Sequence, residues 1–203
     1  MNSSIQTLSG VASVGVFGGT FDPIHTGHLI LAERAREELN LEAILFMPAH
    51  IPPHKSSGRK IASGTARLEM IRLSIADNPH FYLTDLELER EGISFTVDSL
   101  RTIGEVNPEI ELTLLMGSDN ARDFTSWREP ESILQLADIA VWERPGSYYW
   151  PEIYPDYIAR KITSPLIEIS STEIRNRVAA EQSIRYLTPE PVISYIRTHG
   201  LYL

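Results

Sequence analysis

The chain alternates between short β-branched apolar runs and longer stretches whose apolar residues recur at helical spacing. Val11 to Phe17 (VASVGVF) ends on Gly18 and Gly19, which predicts a buried strand entering a tight glycine turn. Gly27 to Asn40 predicts a helix. On it His28, Ala32, Ala35 and Leu39 form one stripe facing a sheet, while Glu33, Arg34, Glu37 and Glu38 face water. Ala43 to Met47 is the next strand, and the proline-rich stretch 48–60 predicts an irregular loop. Strand, helix, strand is the parallel βαβ unit.

The same alternation runs on through the chain. A helix is predicted from Thr65 to Ala76, with Leu68, Ile71 and Ile75 at helical spacing, then a strand at His80 to Leu83 and a hairpin segment through Leu86 to Ser94. A helix at Thr96 to Ile103, a strand at Glu111 to Met116, a helix at Glu129 to Ala137 and a strand at Ile139 to Trp142 follow. Ser147 to Pro165, rich in tyrosine and proline, reads as a loop or partial helix. Ile167 to Ile169 predicts a last strand, and Thr172 to Ala180 and Pro189 to Thr198 the final helices. The pattern predicts an α/β fold: a doubly wound, Rossmann-like open parallel sheet of about five strands with helices on both faces. Ligands of such sheets bind beyond the carboxyl ends of the strands, at the switch point. One domain over residues 1–203 is expected, with 1–10 as a loosely ordered N-terminal extension.

Composition narrows the chemistry. The absence of cysteine excludes disulfides, thiolate metal sites and thiol catalysis. With 18 Lys and Arg against 27 Asp and Glu, a net charge of -9 argues against general affinity for nucleic acid or an anionic membrane. An anionic ligand must therefore be held by a local device. Met1 to Gly10 lacks a basic start and a sustained apolar core, and nowhere do 18 apolar residues run together, so a cytoplasmic location is expected.

Two segments offer such a device. Gly18-Gly19-Thr20-Phe21-Asp22-Pro23-Ile24-His25-Thr26-Gly27-His28 lies between the first strand and its helix. It is neither a G-x-G-x-x-G nor a Walker loop. Two glycines let a phosphate approach the backbone, the helix start supplies N–H groups and a positive dipole end, and His25 and His28 can each give an N–H to phosphate oxygens. The competing reading is a tight turn with one core and one exposed histidine; a zinc pair lacks a third ligand. Ile169-Ser170-Ser171-Thr172-Glu173-Ile174-Arg175 precedes a later helix. Ser170 with Glu173 fits a capping box, while Thr172 and Arg175 share a face suited to triphosphate oxygens.

In this order and at opposite ends of the chain, the two motifs resemble the nucleotidyltransferase superfamily with H-x-G-H and I-S-S-T-x-x-R signatures. GGTFDPIHTGH, Pro52-Pro53-His54-Lys55, Arg67-Leu68-Glu69-Met70, Ser94 to Leu100, Gly117-Ser118-Asp119 with Trp127, and the ending Tyr195-Ile196 with Leu201-Tyr202 are together similar to the bacterial nicotinate-nucleotide adenylyltransferase family. The resemblance runs from about Val14 to Tyr202. Phe95 stands where that family commonly has tyrosine, and Ser118 where alanine is frequent.

The resemblance implies transfer of the adenylyl group of Mg-ATP to nicotinate mononucleotide by direct in-line attack, releasing pyrophosphate. It implies His25, His28 and Arg175 as catalytic residues. Gly18, Gly19, Thr20, Asp119, Ser170, Ser171 and Thr172 would bind ATP, and Lys55, Thr96 and Trp127 the mononucleotide. Mg²⁺ would be held mainly by phosphate and water, without a protein metal site. Three other readings stand beside it: a sister transferase acting on nicotinamide mononucleotide or pantetheine phosphate, a nucleotide-binding module without turnover, and a dinucleotide-dependent oxidoreductase, which the missing G-x-G-x-x-G disfavours. Ser147 to Pro165 is open to use as the adenine side of the site or as the interface of a homo-oligomer, beside a plain surface excursion.

Overall fold

A computed structural model describes residues 8, 10–50, 61–90, 92–143, 159–165 and 167–203. Strands β1 (Ser13–Gly19), β2 (Ala43–Pro48), β3 (Phe81–Leu83), β4 (Glu111–Gly117), β5 (Asp138–Trp142) and β6 (Ala159–Ile162) form one sheet in the order β3-β2-β1-β4-β5-β6. Every pairing is parallel. This is the doubly wound order with its reversal between β1 and β4, so a crevice opens where their carboxyl ends part.

The eight α-helices of the described residues are α1 (Thr26–Glu38), α2 (Gly64–Ile75), α3 (Leu86–Arg90), α4 (Thr96–Val106), α5 (Ser118–Arg122), α6 (Pro130–Leu136), α7 (Ser171–Ala179) and α8 (Glu190–Thr198). Alternation along each strand divides the core in two. Phe17, Ile44, Phe46, Leu115 and Trp142 pack on one face against α1, α2, α7 and α8. Val14, Val16, Leu45, Leu114 and Val141 pack on the other against α4 and α6. Both faces are covered, which is why these strands read as near-continuous apolar runs.

Several expectations are corrected. Leu86 to Ser94 is not a hairpin segment but holds α3, and its Leu-Glu-Leu-Glu alternation imitates a strand. Ile167 to Ile169 lies outside the strands. The sixth strand is instead Ala159–Ile162, inside the segment read as loop or partial helix; residues 147–158 of that segment lie outside the described residues. On α2 the buried face carries Arg67, Met70, Ile71 and Ile75, so Arg67 replaces Leu68 on the predicted stripe.

Candidate active site

The carboxyl ends of β1, β4 and β5 and the starts of α1, α4 and α7 enclose a cavity of about 920 Å³. The described residues expected from sequence to form the site all line it: Gly18, Gly19 and Thr20; His25 and His28; Thr96; Asp119 and Trp127; and Ser170, Ser171, Thr172 and Arg175. Lys55 and its neighbour His54 fall outside the described residues.

The histidines are built into the start of α1. His25 is its N-cap residue, in extended backbone, and His28 occupies the third helical position. The His25 N–H donates to His28 Nδ1 at 3.2 Å. Because that nitrogen accepts, the ring proton of a neutral His28 sits on Nε2, which is then its donor. The two rings stack with centroids 3.6 Å apart and planes at 21°. Phe21 and Phe17 meet His28 edge to face at 5.0 and 5.9 Å. Both histidines are more than nine-tenths buried, yet both border the cavity. Gly27 leaves room for this stacking, since a Cβ there would lie 3.1 Å from His25 Nδ1, so that the ring would have to give by a few tenths of an ångström. A Cβ on Gly19 would meet the Phe21 ring at 3.0 Å.

The turn carrying these groups is tied down by the far end of the chain. Ser171 Oγ donates to the Pro23 carbonyl at 2.9 Å, and Thr188 Oγ1 to the Ile24 carbonyl at 2.8 Å. The Thr26 N–H reaches the Leu187 carbonyl at 2.9 Å, and its hydroxyl the Tyr186 carbonyl at 3.0 Å. The first motif is thus held by residues of the second motif and beyond it.

The second motif divides between structure and site. Ser170 is the N-cap of α7, its Oγ accepting the Glu173 N–H at 3.1 Å, so half of the expected capping box forms; that hydroxyl can still donate elsewhere. Ser171 directs its hydroxyl proton to Pro23. Arg175 Nη2 donates to Thr172 Oγ1 at 2.9 Å, as their spacing requires. The Arg175 side chain is 12% exposed, and its Nη1 lies 3.5 Å from Asp22 Oδ2.

Asp119 sits in the first turn of α5, whose N-cap is Gly117. Trp127 is half-buried, 5.6 Å from Phe124. Thr96 opens α4 beside its N-cap Phe95, and the Arg128 guanidinium lies 4.7 Å from the Phe95 ring centre. Phe95 therefore presents a cation-covered ring at this end of the cavity.

Sequence reasoning assigned no role to Asp22, Arg67, Glu87 or Tyr202. Arg67, 2% exposed, donates to the carbonyls of Thr20 at 2.8 Å and Ala62 at 3.1 Å, bracing the back of the glycine turn. A cation four and eight positions before Ile71 and Ile75, on the apolar stripe, was its signal. Glu87, 5% exposed, accepts from Ser99 Oγ at 2.7 Å. Burial pushes its carboxyl up, against the lowering by hydrogen bonds from Ser99 and Ser94 and the charge of Arg90. Among the described residues no three His, Asp or Glu side chains cluster to hold a metal ion, and no helix is long and apolar enough to cross a membrane.

Residues 16–177 match the family described as Cytidylyltransferase-like. A Desulfitobacterium hafniense protein named "Probable nicotinate-nucleotide adenylyltransferase" is 42% identical over 93% of this chain and 95% of its own length. A Thermomicrobium roseum protein of the same name is 43% identical over 95% and 92%. The solved nicotinic acid mononucleotide adenylyltransferase of Plasmodium falciparum, complexed with APC, superposes with a TM-score of 0.79 at 22% identity over 94% of this chain and 97% of that one, a likeness of fold. With the histidine pair, the Thr172 and Arg175 cluster and the doubly wound sheet in place, the chain belongs to the cytidylyltransferase-like nucleotidyltransferases and, within them, to the nicotinate-nucleotide adenylyltransferase family.

Proposed function

We propose that this protein transfers the adenylyl group of Mg-ATP to nicotinate mononucleotide, giving nicotinic acid adenine dinucleotide and pyrophosphate in NAD biosynthesis. The observation that carries this reading is the convergence of two helix starts on one cavity: that of α1 with His25 and His28, and that of α7 with Thr172 and Arg175. Two helix N-termini, two imidazoles and a guanidinium around one space suit a polyphosphate, in a chain whose overall charge repels anions.

A phosphate oxygen of the mononucleotide attacks the α-phosphorus of ATP. One P–O bond forms as the bond from that phosphorus to the bridging oxygen breaks, and the electron pair leaves on pyrophosphate. No side-chain nucleophile is needed, so positioning and charge stabilisation carry the catalysis. His28, through Nε2, and His25 act on the reacting phosphates, and Gly18, Gly19 and Thr20 let the nucleotide approach the backbone. Ser170, Thr172 and Arg175, with the N–H groups that open α7, hold the departing phosphates. Ser171 acts from behind, fastening the two motifs together. Asp119 serves the ATP ribose, and Trp127, Thr96 and Lys55 the mononucleotide. Mg²⁺ enters as part of the ATP substrate, on phosphate oxygens and water. The whole of 1–203 serves as a single nucleotidyltransferase unit.

The test is pyrophosphate release from Mg-ATP with nicotinate mononucleotide, nicotinamide mononucleotide and pantetheine phosphate offered in parallel. Strong preference for the first is expected. Release with another acceptor would keep the mechanism and change the substrate, and ATP binding without release by any of them would identify a non-catalytic module.

A further inference from the structure

Tyr202, one residue from the end of the chain, reaches the loop that follows β1. Its hydroxyl donates to Asp22 Oδ1 at 2.7 Å. Asp22 is 4% exposed, and the same oxygen accepts the Ala62 N–H at 3.2 Å. The other carboxylate oxygen, Oδ2, faces Arg175 Nη1 at 3.5 Å, and the Asp22 carbonyl accepts a hydrogen bond from that same nitrogen. Arg175 continues to Thr172 Oγ1.

The Asp22 carboxylate has two cations within electrostatic reach, Arg67 and Arg175. Arg67 is already held by the carbonyls of Thr20 and Ala62. A carboxylate between two cations needs its orientation fixed if only one is to face it, and the Tyr202 hydroxyl, with the Ala62 N–H, fixes Oδ1 and leaves Oδ2 for Arg175. Tyr202 holds a left-handed backbone, φ 68°, which a side chain with a Cβ adopts at some cost and which persists where surroundings impose it. Burial, followed by the charge and hydrogen bond of Asp22, pushes the phenol up from its ordinary range, so it stays a donor at every physiological pH.

We propose that Tyr202 and Asp22 are positioning residues for adenylyl transfer, a relay that sets the Arg175 guanidinium against the ATP phosphates, so that the segment after α8 governs the use of ATP. The inference rests on the triphosphate role of Arg175 proposed above. A Tyr202 that merely fastened the C-terminal segment to the fold would make no such distinction between the two substrates.

The experiment is a double-mutant cycle on the full chain, with Tyr202→Phe, Arg175→Ala and the pair. It reads direct Mg-ATP binding by titration calorimetry and the KM for each substrate. Tyr202→Phe is expected to weaken ATP binding about tenfold, with the mononucleotide KM unchanged and no further loss once Arg175 is alanine. Asp22→Asn, which keeps an acceptor for Tyr202 but removes the charge, is expected to show the same ATP-selective loss. It stands in for Tyr202→Phe if that variant does not fold. Losses that add to that of Arg175→Ala, or that fall equally on both substrates, overturn the relay while leaving the triphosphate reading in place. Wild-type protein that binds no ATP overturns both.

Discussion

His25 and His28 face each other ring on ring, 3.6 Å between centroids, while the backbone N–H of the first donates to Nδ1 of the second. The pair is one unit: the N-cap residue supplies both the stacking partner and the hydrogen bond that sets which nitrogen of His28 carries its proton. His28→Ala removes the donor but leaves Phe17 and Phe21 to close the core, so the variant should fold. Turnover is expected to fall about 10²- to 10³-fold, the usual worth of a group stabilising transition-state charge. Pyrophosphate release beside circular dichroism and a melting curve checks this; a folded variant with near-normal turnover would take His28 out of the mechanism.

Trp127 borders the cavity, as do Thr96 and Arg128. Its half-buried indole offers a flat face to an aromatic ring. Trp127→Ala should raise the KM for nicotinate mononucleotide about tenfold, with Trp127→Phe recovering most of the loss. The KM for ATP should stay put. Initial-rate kinetics with each substrate varied in turn decides it, and a change in ATP use alone would place the indole on the other nucleotide.

The doubly wound sheet was legible because fully buried parallel strands must be apolar throughout, as Ala43 to Met47 and Ile139 to Trp142 are. β6 was hidden for the converse reason. It is an edge strand whose Arg160 and Lys161 pair outward with Asp138 and Glu143, so its four residues carry no apolar run. At α3, local periodicity misled: Leu86 to Glu89 alternates like a strand, but the Thr84 hydroxyl accepts the Leu86 N–H at 3.2 Å as the helix begins, and Glu87 turns inward to Ser99. The residues of the two motifs that border the cavity were readable because each motif is contiguous. Asp22 and Tyr202 stand 180 positions apart, and no local pattern links a tyrosine near the end of a chain to a glycine turn near its beginning.

Arg67 shows how a buried cation can be structural. Its guanidinium is satisfied by backbone carbonyls, and it fixes the position of Thr20 behind the glycine turn. Arg67→Met fills the space but abandons the Thr20 and Ala62 carbonyls and leaves the buried Asp22 with one cation fewer. A loss of about 3 kcal/mol is expected. Arg67→Lys, with one ammonium in place of a fork, should recover only part of it. Urea denaturation measures both, and a loss below about 0.5 kcal/mol would show that solvent satisfies those carbonyls without the arginine.

Glu87 makes stability depend on pH. Its carboxyl is pushed above the ordinary 4.5 chiefly by burial, so the folded state binds the proton more tightly than the unfolded chain does. When the folded pKa is the higher one, the stabilisation is complete below the unfolded value and is lost as pH climbs through the folded value. Ionised Glu87 must then stay buried beside Ser99, with Ser94 and the charge of Arg90 as partial compensation. Glu87→Gln keeps the shape and the acceptor for Ser99 but has no charge to bury. Melting temperatures of the two proteins should coincide at acidic pH, below the ordinary carboxyl value of 4.5, and the variant should melt higher as pH rises toward neutrality. The comparison cancels every titration the proteins share, so the gap reports Glu87 alone. A gap that is constant across the range, or that widens on acidification, would mean that this carboxylate is better accommodated in the fold than its burial implies.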